Sequence, residues 1–189
     1  MQTTILFAHP WHGSFNKSVL DRVTAHLDRS GEPYTVIDLN KDGFNPAMSE
    51  RDLELYARGE SADPLVGVYN AILDRTERLI LVFPIWWYDM PAILRGFFDK
   101  VILSGSSYIE DERGMHPLRK VRETVLFTTS SAPTESLIRD FGDPVNGTII
   151  AGTFRSIGFE GARWYNLGGM NGTTEAERTA FLDEIPSRI

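Results

Sequence analysis

The sequence predicts an α/β fold built around a parallel β-sheet. Short apolar segments alternate along the chain with longer segments whose apolar residues recur at helical spacing. This alternation is typical of strand–helix–strand units. Residues 79–83 are hydrophobic without interruption, as expected for a central strand that helices cover on both faces. No repeat, low-complexity segment or linker divides the sequence, so we expect one domain over residues 1–189.

The first strand–helix–strand unit occupies the beginning of the chain. Residues 3–8 form a short apolar segment and predict a strand. Residues 16–28 carry Val19, Val23 and Leu27 at helical spacing, and Ser30-Gly31 is a typical helix end. Residues 34–39 then predict the second strand.

A long polar segment, residues 41–65, separates this unit from the next helix. It contains a predicted helical piece over 50–58 and is longer than most connections in compact domains. A helix is predicted over 65–74, before the buried strand at 79–83. Since long connections often carry function, this segment is a candidate for docking or binding.

Pro91 suits the first turn of the next helix, because its φ is preset and it needs no N–H partner there. The apolar stripe of this helix comprises Ile93, Leu94, Phe97, Phe98, Val101 and Ile102. The stripe is wider than one core-facing side requires, so we expect part of it to pack against a second subunit.

The last part of the chain continues the alternation after a second loop at 104–119. The remaining predicted elements are a strand at 124–128, helices near 135–141 and 149–157, a strand near 163–166, and a helix from Thr174.

Composition and charge exclude several kinds of function. The formal net charge is −7 and no long basic run is present, which argues against nucleic-acid binding. No apolar run approaches the roughly 20 residues of a membrane span, and the N-terminus lacks a secretory signal, so a cytoplasmic protein without membrane insertion is expected. The chain has no cysteine and no H-E-x-x-H spacing, and we therefore expect no metal site.

The loop after the first strand has the residues of a phosphate site. A helix N-terminus offers unpaired N–H groups and a partial positive charge. Gly13 permits close approach of the backbone, Ser14 adds a hydroxyl, Asn16 is a candidate N-cap, and His9 offers an imidazole donor. Alternatively, Ser14 and Asn16 only cap an ordinary helix. Neither a P-loop nor a G-x-G-x-x-G turn is present.

The loop after the buried strand is aromatic: Trp86-Trp87-Tyr88. Two consecutive tryptophans cannot both point into one core from a strand, so at least one ring should face a cleft or a partner. Such a ring can stack against a flat heterocycle. A patch at a subunit interface explains the same residues, and the two interpretations are compatible. Because ligands of open parallel sheets bind at the carboxyl ends of the strands, the two loops together suggest a flavin site.

Three sequence blocks carry a family resemblance. They are His9 with Ser14-Phe15-Asn16, the block from Phe83 to Val101 (FPIWWYDMPAILRGFFDKV), and Thr128-Thr129. These blocks resemble the flavodoxin-like NAD(P)H:quinone oxidoreductases, a family that includes quinone reductases, drug-activity modulators and ancillary subunits of potassium efflux systems. The resemblance implies a flavodoxin-like five-stranded parallel sheet in the order 2-1-3-4-5, with helices on both faces. It also implies a homodimer with two flavin sites at the interface.

By position, the resemblance also assigns residues to the flavin site. The residues implied to hold the phosphate and ribityl end are His9, Ser14, Phe15 and Asn16. Those implied to run beside the isoalloxazine, with backbone amides towards its polar edge, are Pro84, Ile85, Trp86, Trp87 and Tyr88. Thr128, Thr129 and Ser130 would line the other side, and Tyr108 would line a substrate pocket. The chain departs from the mammalian pattern at Ser130-Ser131, where that pattern has Gly-Gly, and near Phe141, where it has a histidine.

The function implied by the resemblance is transfer of hydride from NADH or NADPH, through FMN or FAD, to a quinone or another small acceptor in a ping-pong reaction. FMN is favoured over FAD because the C-terminal extension of the mammalian enzymes is missing. The alternative is a flavin-containing ancillary subunit of a membrane transport system, docking through the apolar stripe or the 41–65 segment. A serine hydrolase is disfavoured because no G-x-S-x-G is present.

Overall fold

A five-stranded parallel sheet lies at the centre of the computed structural model, which describes residues 1–189. The strands in chain order are β1 (Thr3–Phe7), β2 (Tyr34–Asp38), β3 (Arg78–Pro84), β4 (Tyr108–Asp111), β5 (Gly114–Pro117), β6 (Glu123–Thr129) and β7 (Arg163–Leu167). The sheet order is β2-β1-β3-β6-β7, while β4 and β5 form a separate antiparallel hairpin. Counted over the sheet strands alone, this is the predicted order 2-1-3-4-5, and the flavodoxin-like prediction is confirmed.

Helices connect the strands and cover both faces of the sheet. They are α1 (Phe15–Ser30), α2 (Glu50–Tyr56), α3 (Pro64–Leu73), α4 (Ala92–Val101), α5 (Thr134–Arg139), a π-helix (Val145–Phe154), a short 3₁₀ helix (Met170–Gly172) and α6 (Glu175–Arg188). Ser14 caps the start of α1, and Gly31 ends it in the left-handed conformation.

Alternation of side chains along the strands builds two cores, one on each face. On one face, Phe7, Val82 and Phe127 pack against α1 and α6. On the other, Leu81 and Leu126 belong to the larger core that includes residues of α3, α4 and the π-helix. Successive residues of a strand point to opposite faces, so each apolar strand supplies both cores.

The wide apolar stripe of α4 is used within the chain. Leu94, Phe97, Phe98, Val101 and Ile102 are all buried in the larger core. The expectation that part of this stripe faces a second subunit is therefore not supported, because α4 packs against the sheet, the π-helix and the 41–65 segment together.

The 41–65 segment is held against α4 by a buried lysine. Lys100 is 2% exposed, and its Nζ lies 3.0 Å from the carbonyl oxygen of Asn45 and 3.2 Å from Asp63 Oδ2. Asp52 Oδ2 lies 3.7 Å from the same nitrogen. At Gly96 a Cβ would lie 2.3 Å from the carbonyl oxygen of Pro46, so glycine permits this close approach. The polar connection predicted at 41–65 is thus ordered and packs against α4.

Two further regions differ from the sequence expectations. The segment expected as a loop at 104–119 contains the β4–β5 hairpin. The helix expected at 149–157 is a π-helix that begins earlier, at Val145. None of the helices is long and apolar enough to cross a membrane.

Candidate functional site

The two loops singled out by the sequence meet at the carboxyl ends of β1, β3 and β6. They border two adjoining cavities of about 230 Å³ and about 420 Å³. Four residues line both cavities: Ile85, Trp86, Ser130 and Ser131. The smaller one is also lined by His9, Trp11, Ser14, Phe15, Asn16, Pro84, Thr129, Met170 and Asn171. The larger one is completed by Trp87, Tyr88, Ala132 and Leu137.

The N-terminus of α1 forms one wall of the smaller cavity. Ser14, not Asn16, is the N-cap: its Oγ accepts a hydrogen bond from Lys17 N at 3.2 Å. The backbone N–H groups of Phe15 and Asn16 have no partner in the chain. Unpaired N–H groups at the start of a 16-residue helix favour an anion beside them.

Asn16 supplies a further unpaired donor to the same cavity. Its side chain is buried, at 3% exposure, and its Oδ1 accepts a hydrogen bond from Thr129 Oγ1 at 3.0 Å. Its Nδ2 is buried and has no partner. An unpaired buried donor costs about 1–3 kcal/mol, so a group that accepts a hydrogen bond here would be stabilised.

His9 joins the first loop to the aromatic turn. Its Nδ1 lies 3.1 Å from both the backbone N and the carbonyl oxygen of Trp11. Trp11 N donates to it when the ring is neutral and protonated on Nε2. Burial lowers the pKa of His9 below its usual value, which favours this neutral form. The imidazole meets the Trp86 ring edge-on, with centroids 6.0 Å apart. His9 can therefore offer a neutral N–H donor at the boundary between the cavities.

The middle of the first loop is tied to a neighbouring strand. Nε2 of His12 lies 3.0 Å from Oδ2 of Asp38, the last residue of β2. At Gly13 a Cβ would lie 2.5 Å from the indole of Trp11, so this indole occupies the space that the missing side chain leaves. The loop is thus positioned by contacts at His9, His12 and Gly13.

The aromatic turn has an unusual backbone. Trp86 and Asp89 exchange two backbone hydrogen bonds, of 3.0 and 3.1 Å, around Trp87 and Tyr88, whose φ values are +50° and +66°. This is the pattern of a type I′ turn, which ordinarily takes Asn-Gly. A non-glycine residue in the left-handed region costs roughly 1–2 kcal/mol, so two bulky aromatic residues hold the turn in a strained shape.

The turn exposes polar and apolar groups together. The N–H groups of Trp87 and Tyr88 have no partner in the chain. The side chain of Trp87 is 94% exposed, and those of Trp86 and Tyr88 are about half that. Large aromatic rings exposed beside a cavity are typical of a binding surface.

The end of β6 closes the site from the other side. Thr129 and Ser130 line the cavities, and Ser130 Oγ donates to the carbonyl oxygen of Ala132 at 2.7 Å. Thr128 points to the opposite face of the sheet, where its hydroxyl donates to Asn166 at 2.8 Å and accepts from the Trp164 indole at 2.7 Å. Its side chain lies outside both cavities, so only the backbone of Thr128 could contact a ligand there. That it does so stays a prediction.

Tyr108 lies in a different place from the other predicted site residues. It borders a separate cavity of about 420 Å³, and its hydroxyl is 2.7 Å from that of Tyr56. Within one chain it does not meet the aromatic turn. Its role in a substrate pocket stays a prediction, and it requires a second copy of the chain to bring Tyr108 to the site.

Several lining residues were not predicted. Ser131 follows Ser130 directly and could have been found by extending the motif. Met170 and Asn171 follow β7, and the rule that ligands bind at the carboxyl ends of strands could have pointed to them. Ala132 and Leu137 carry no chemical signal in the sequence, and only the packing of α5 brings them to the cavity.

The residues present fit a flavin mononucleotide. A phosphate suits the unpaired N–H groups at the start of α1, and a hydroxylated chain suits the orphaned Asn16 donor. A flat ring suits the larger cavity, six of whose eight lining residues are hydrophobic. The smaller cavity contains no lysine or arginine, so an anion there would depend on neutral donors and the helix dipole.

Comparison with known proteins identifies the family. The family model described as flavodoxin-like fold matches residues 1–189. An uncharacterised NAD(P)H oxidoreductase of Haemophilus influenzae is 26% identical over 97% of this chain and 91% of its own length. The solved structure of an NAD(P)H:quinone oxidoreductase from Methanothermobacter marburgensis superposes with a TM-score of 0.87 and 26% identity, over 99% of this chain and 96% of that one.

A more distant structure shares the fold alone. It is an FMN-dependent NADH-azoreductase from Bacillus anthracis in complex with FMN, with a TM-score of 0.74 and 15% identity over 98% of this chain and 96% of that one. The sheet order, the match over all 189 residues and the two full-length relatives agree. This chain belongs to the flavodoxin-like fold family, among relatives named NAD(P)H oxidoreductases and quinone reductases.

Proposed function

We propose that this protein is an FMN-dependent NAD(P)H oxidoreductase that reduces quinones or related small acceptors. In the overall reaction NAD(P)H, one proton and the acceptor give NAD(P)⁺ and the acceptor reduced by two electrons. The donor and the acceptor bind in turn at the same place, in a ping-pong order. The names of the full-length relatives support the reaction class.

The observation that carries the proposal is the pair of adjoining cavities with unpaired donors at both ends. At one end lie the N–H groups that begin α1 and the buried Nδ2 of Asn16. At the other end lie the strained turn of Trp87 and Tyr88 and its two free N–H groups. If the first loop only capped α1, no buried donor would be left unpaired there. The unpaired Nδ2 of Asn16 therefore favours a bound ligand over a cap alone.

The chain's own residues would bind, orient and shield. Bound FMN supplies the chemistry that takes two electrons from a nicotinamide and passes them to an acceptor. The N-terminus of α1, Ser14 and Asn16 would hold its phosphate and ribityl chain. The N–H groups of Trp87 and Tyr88 would stabilise negative charge on the reduced ring, as donors aimed at developing charge do. Neutral His9 would donate a hydrogen bond without adding a titrating charge at neutral pH.

We further propose that the active form is a homodimer with one site near each aromatic turn. The support is an exposed aromatic surface beside the cavity, above all Trp87. A second copy would cover this surface and bring Tyr108 to it. The ancillary-subunit alternative relied on an exposed stripe on α4 or on the 41–65 segment; the stripe is buried within the chain, and the segment packs against α4, so this alternative is not favoured.

The test begins with the absorption spectrum of the purified protein and chromatography of the cofactor released from it. Bound FMN that is bleached within one turnover by NADH or NADPH, and recovers its colour on addition of a quinone, is the expected result. FAD in place of FMN would correct the cofactor. Folded protein that stays colourless and takes up neither added flavin would refute the proposal.

The oligomeric state needs a separate measurement. Light scattering after size-exclusion chromatography should give twice the 21.3 kDa of one chain. A fully active monomer would leave the flavin proposal intact and remove both the homodimer and the role of Tyr108.

A further inference from the structure

We propose that Trp11 recognises the flavin phosphate by donating its indole N–H to it, so that the site selects FMN over riboflavin, which has no phosphate. This inference rests on the proposed function and specifies how its cofactor is recognised. Trp11 lines the smaller cavity, together with Ser14, Phe15 and Asn16 at the start of α1. It is 67% exposed. A large apolar ring left in solvent beside a cavity is typical of a surface that a ligand covers.

The first argument is the position of the indole, which is folded against Gly13. A Cβ at Gly13 would lie 2.5 Å from Cε2 and Cζ2 of the indole and 2.8 Å from its Nε1. Any other residue at this position would therefore push the ring away. Glycine thus lets the indole nitrogen approach the backbone that leads into α1.

The second argument is that this indole N–H has no partner. Of the four tryptophans, only Trp164 donates its indole N–H within the chain, to Thr128 Oγ1 at 2.7 Å. The backbone N–H of Gly13 is also unpaired, like those of Phe15 and Asn16. Free donors from a side chain and from the backbone are therefore gathered beside the N-terminus of α1. A phosphate monoester has several acceptor oxygens and can take more than one of these donors.

The third argument is that the backbone of Trp11 is fixed on both sides. Its carbonyl oxygen accepts a hydrogen bond from Ser14 N at 3.1 Å, which closes a turn over residues 11–14. Its own N–H donates to His9 Nδ1 at 3.1 Å. A residue held in this way loses less conformational freedom when a ligand binds, so more of the energy of its hydrogen bond appears as affinity.

The fourth argument is that the cations near the smaller cavity are already paired. No lysine or arginine lines this cavity. Lys17, in the first turn of α1, pairs with Asp21, and Nε2 of His12 lies 3.0 Å from Asp38 Oδ2. The net charge of −7 adds no general attraction for an anion. Recognition of a phosphate here therefore depends on neutral donors, and the loss of one of them should be measurable.

The experiment compares FMN with riboflavin, because the two flavins share the ring and the ribityl chain and differ in the phosphate. Each Kd is measured by quenching of flavin fluorescence with protein stripped of flavin. The parent should bind FMN about 10-fold or more tightly than riboflavin. Trp11→Phe keeps an aromatic ring but removes the N–H. It should weaken FMN binding about 5- to 20-fold and riboflavin binding by less than about 2-fold.

Trp164→Phe is the matched control. It makes the same substitution at an indole that lines neither cavity and whose N–H is already bonded within the chain. The ratio of the two Kd values should stay that of the parent. If Trp11→Phe weakens both flavins equally, or weakens neither, the proposed role of Trp11 is overturned.

A second readout is the NMR spectrum of ¹⁵N-labelled protein, which gives one indole N–H signal for each tryptophan. The Trp11 signal is identified by its absence in Trp11→Phe. It should move downfield when FMN binds and much less when riboflavin binds, because a hydrogen bond to phosphate deshields the proton. A Trp11 signal that stays in place in FMN-saturated protein would overturn the inference.

Failure of this inference can be told apart from failure of the proposed function. A parent protein that binds FMN and riboflavin equally well would overturn the role of Trp11 and leave a flavin protein. A folded parent that binds neither flavin would overturn both.

Discussion

Replacing Asn16 with alanine should weaken FMN binding while leaving the fold about equally stable. The substitution removes an Nδ2 donor that is buried and unpaired, which by itself stabilises the folded chain by about 1–3 kcal/mol. It also removes the acceptor of the Thr129 hydroxyl, 3.0 Å away, and leaves that buried hydroxyl unpaired. The two effects are of similar size, so we expect the free energy of unfolding to change by less than about 1 kcal/mol.

FMN binding should lose much more. Without Nδ2, the ribityl oxygen that would accept its hydrogen bond is left unpaired in the cavity, which costs about 1–3 kcal/mol, or roughly 5- to 150-fold in Kd. In a thermal or urea titration, FMN at 100 times the parent's Kd should stabilise the parent by about 2.7 kcal/mol. At the same concentration, a variant that binds 100-fold more weakly should be stabilised by only about 0.4 kcal/mol.

The assay is quenching of FMN fluorescence by protein stripped of flavin, together with urea unfolding in the absence of FMN. Asn70→Ala is the matched control, because its side-chain Oδ1 is also buried and unpaired but lies on α3, away from the cavities. Unchanged FMN affinity in Asn16→Ala would refute the assignment of Nδ2 to the cofactor. A fall in stability as large as the fall in affinity would indicate a structural role instead.

Three other substitutions test the geometry. Trp87→Gly should weaken FMN retention. At a protein concentration low enough for light scattering to show a monomer, it should raise the free energy of unfolding by up to about 1 kcal/mol, since glycine relieves the left-handed backbone and the indole of a single chain is almost fully exposed. Lys100→Met should cost about 3–5 kcal/mol in urea unfolding, because it leaves the buried carboxylate of Asp52 and the partly buried one of Asp63 without their cation. Asp52→Asn should be clearly destabilising at pH 7 and progressively less so below pH 4, as followed by urea unfolding against pH.

The contribution of Asp52 to stability depends on pH because of its hydrogen bonds. Burial alone would raise the pKa of Asp52, but bonds from Ser61, Ser49 and the backbone of Ala62 hold it well below its usual value. A carboxylate with a lowered pKa in the folded state stabilises the protein above its unfolded pKa, near 4. That contribution is lost as the pH falls from there towards the folded pKa. A difference between variant and parent that stays constant down to pH 2 would contradict this reasoning.

Trp87→Gly and Lys100→Met also have outcomes that would contradict the reasoning. If Trp87→Gly loses stability, the turn is not strained in the way its φ values indicate. If Lys100→Met has the same urea midpoint of unfolding as the parent, the 41–65 segment does not depend on this ion pair. The apolar contacts of α4 then suffice to hold the segment.

The sequence by itself determined the class of fold, the five strands of the sheet and the two loops of the candidate site. Strand 79–83, the capped start of α1 and the aromatic turn are local patterns, because each reflects the spacing of a few neighbouring residues. The sheet order came from the family resemblance of the blocks, not from periodicity. Local patterns were less reliable where one pattern had two interpretations. The α4 stripe could pack in the core or against a second subunit, and either Ser14 or Asn16 could cap α1; the N-cap is Ser14.

Only the tertiary structure decided which distant residues meet. It brought Thr129 to Asn16 and left Nδ2 without a partner, stacked Phe141 on Tyr88, and turned Thr128 away from the cavities. These outcomes depend on how the strands are aligned and on the direction in which each side chain leaves the backbone. Neither quantity is encoded in the spacing of residues along one segment, because both arise from the packing of segments that lie far apart in the chain.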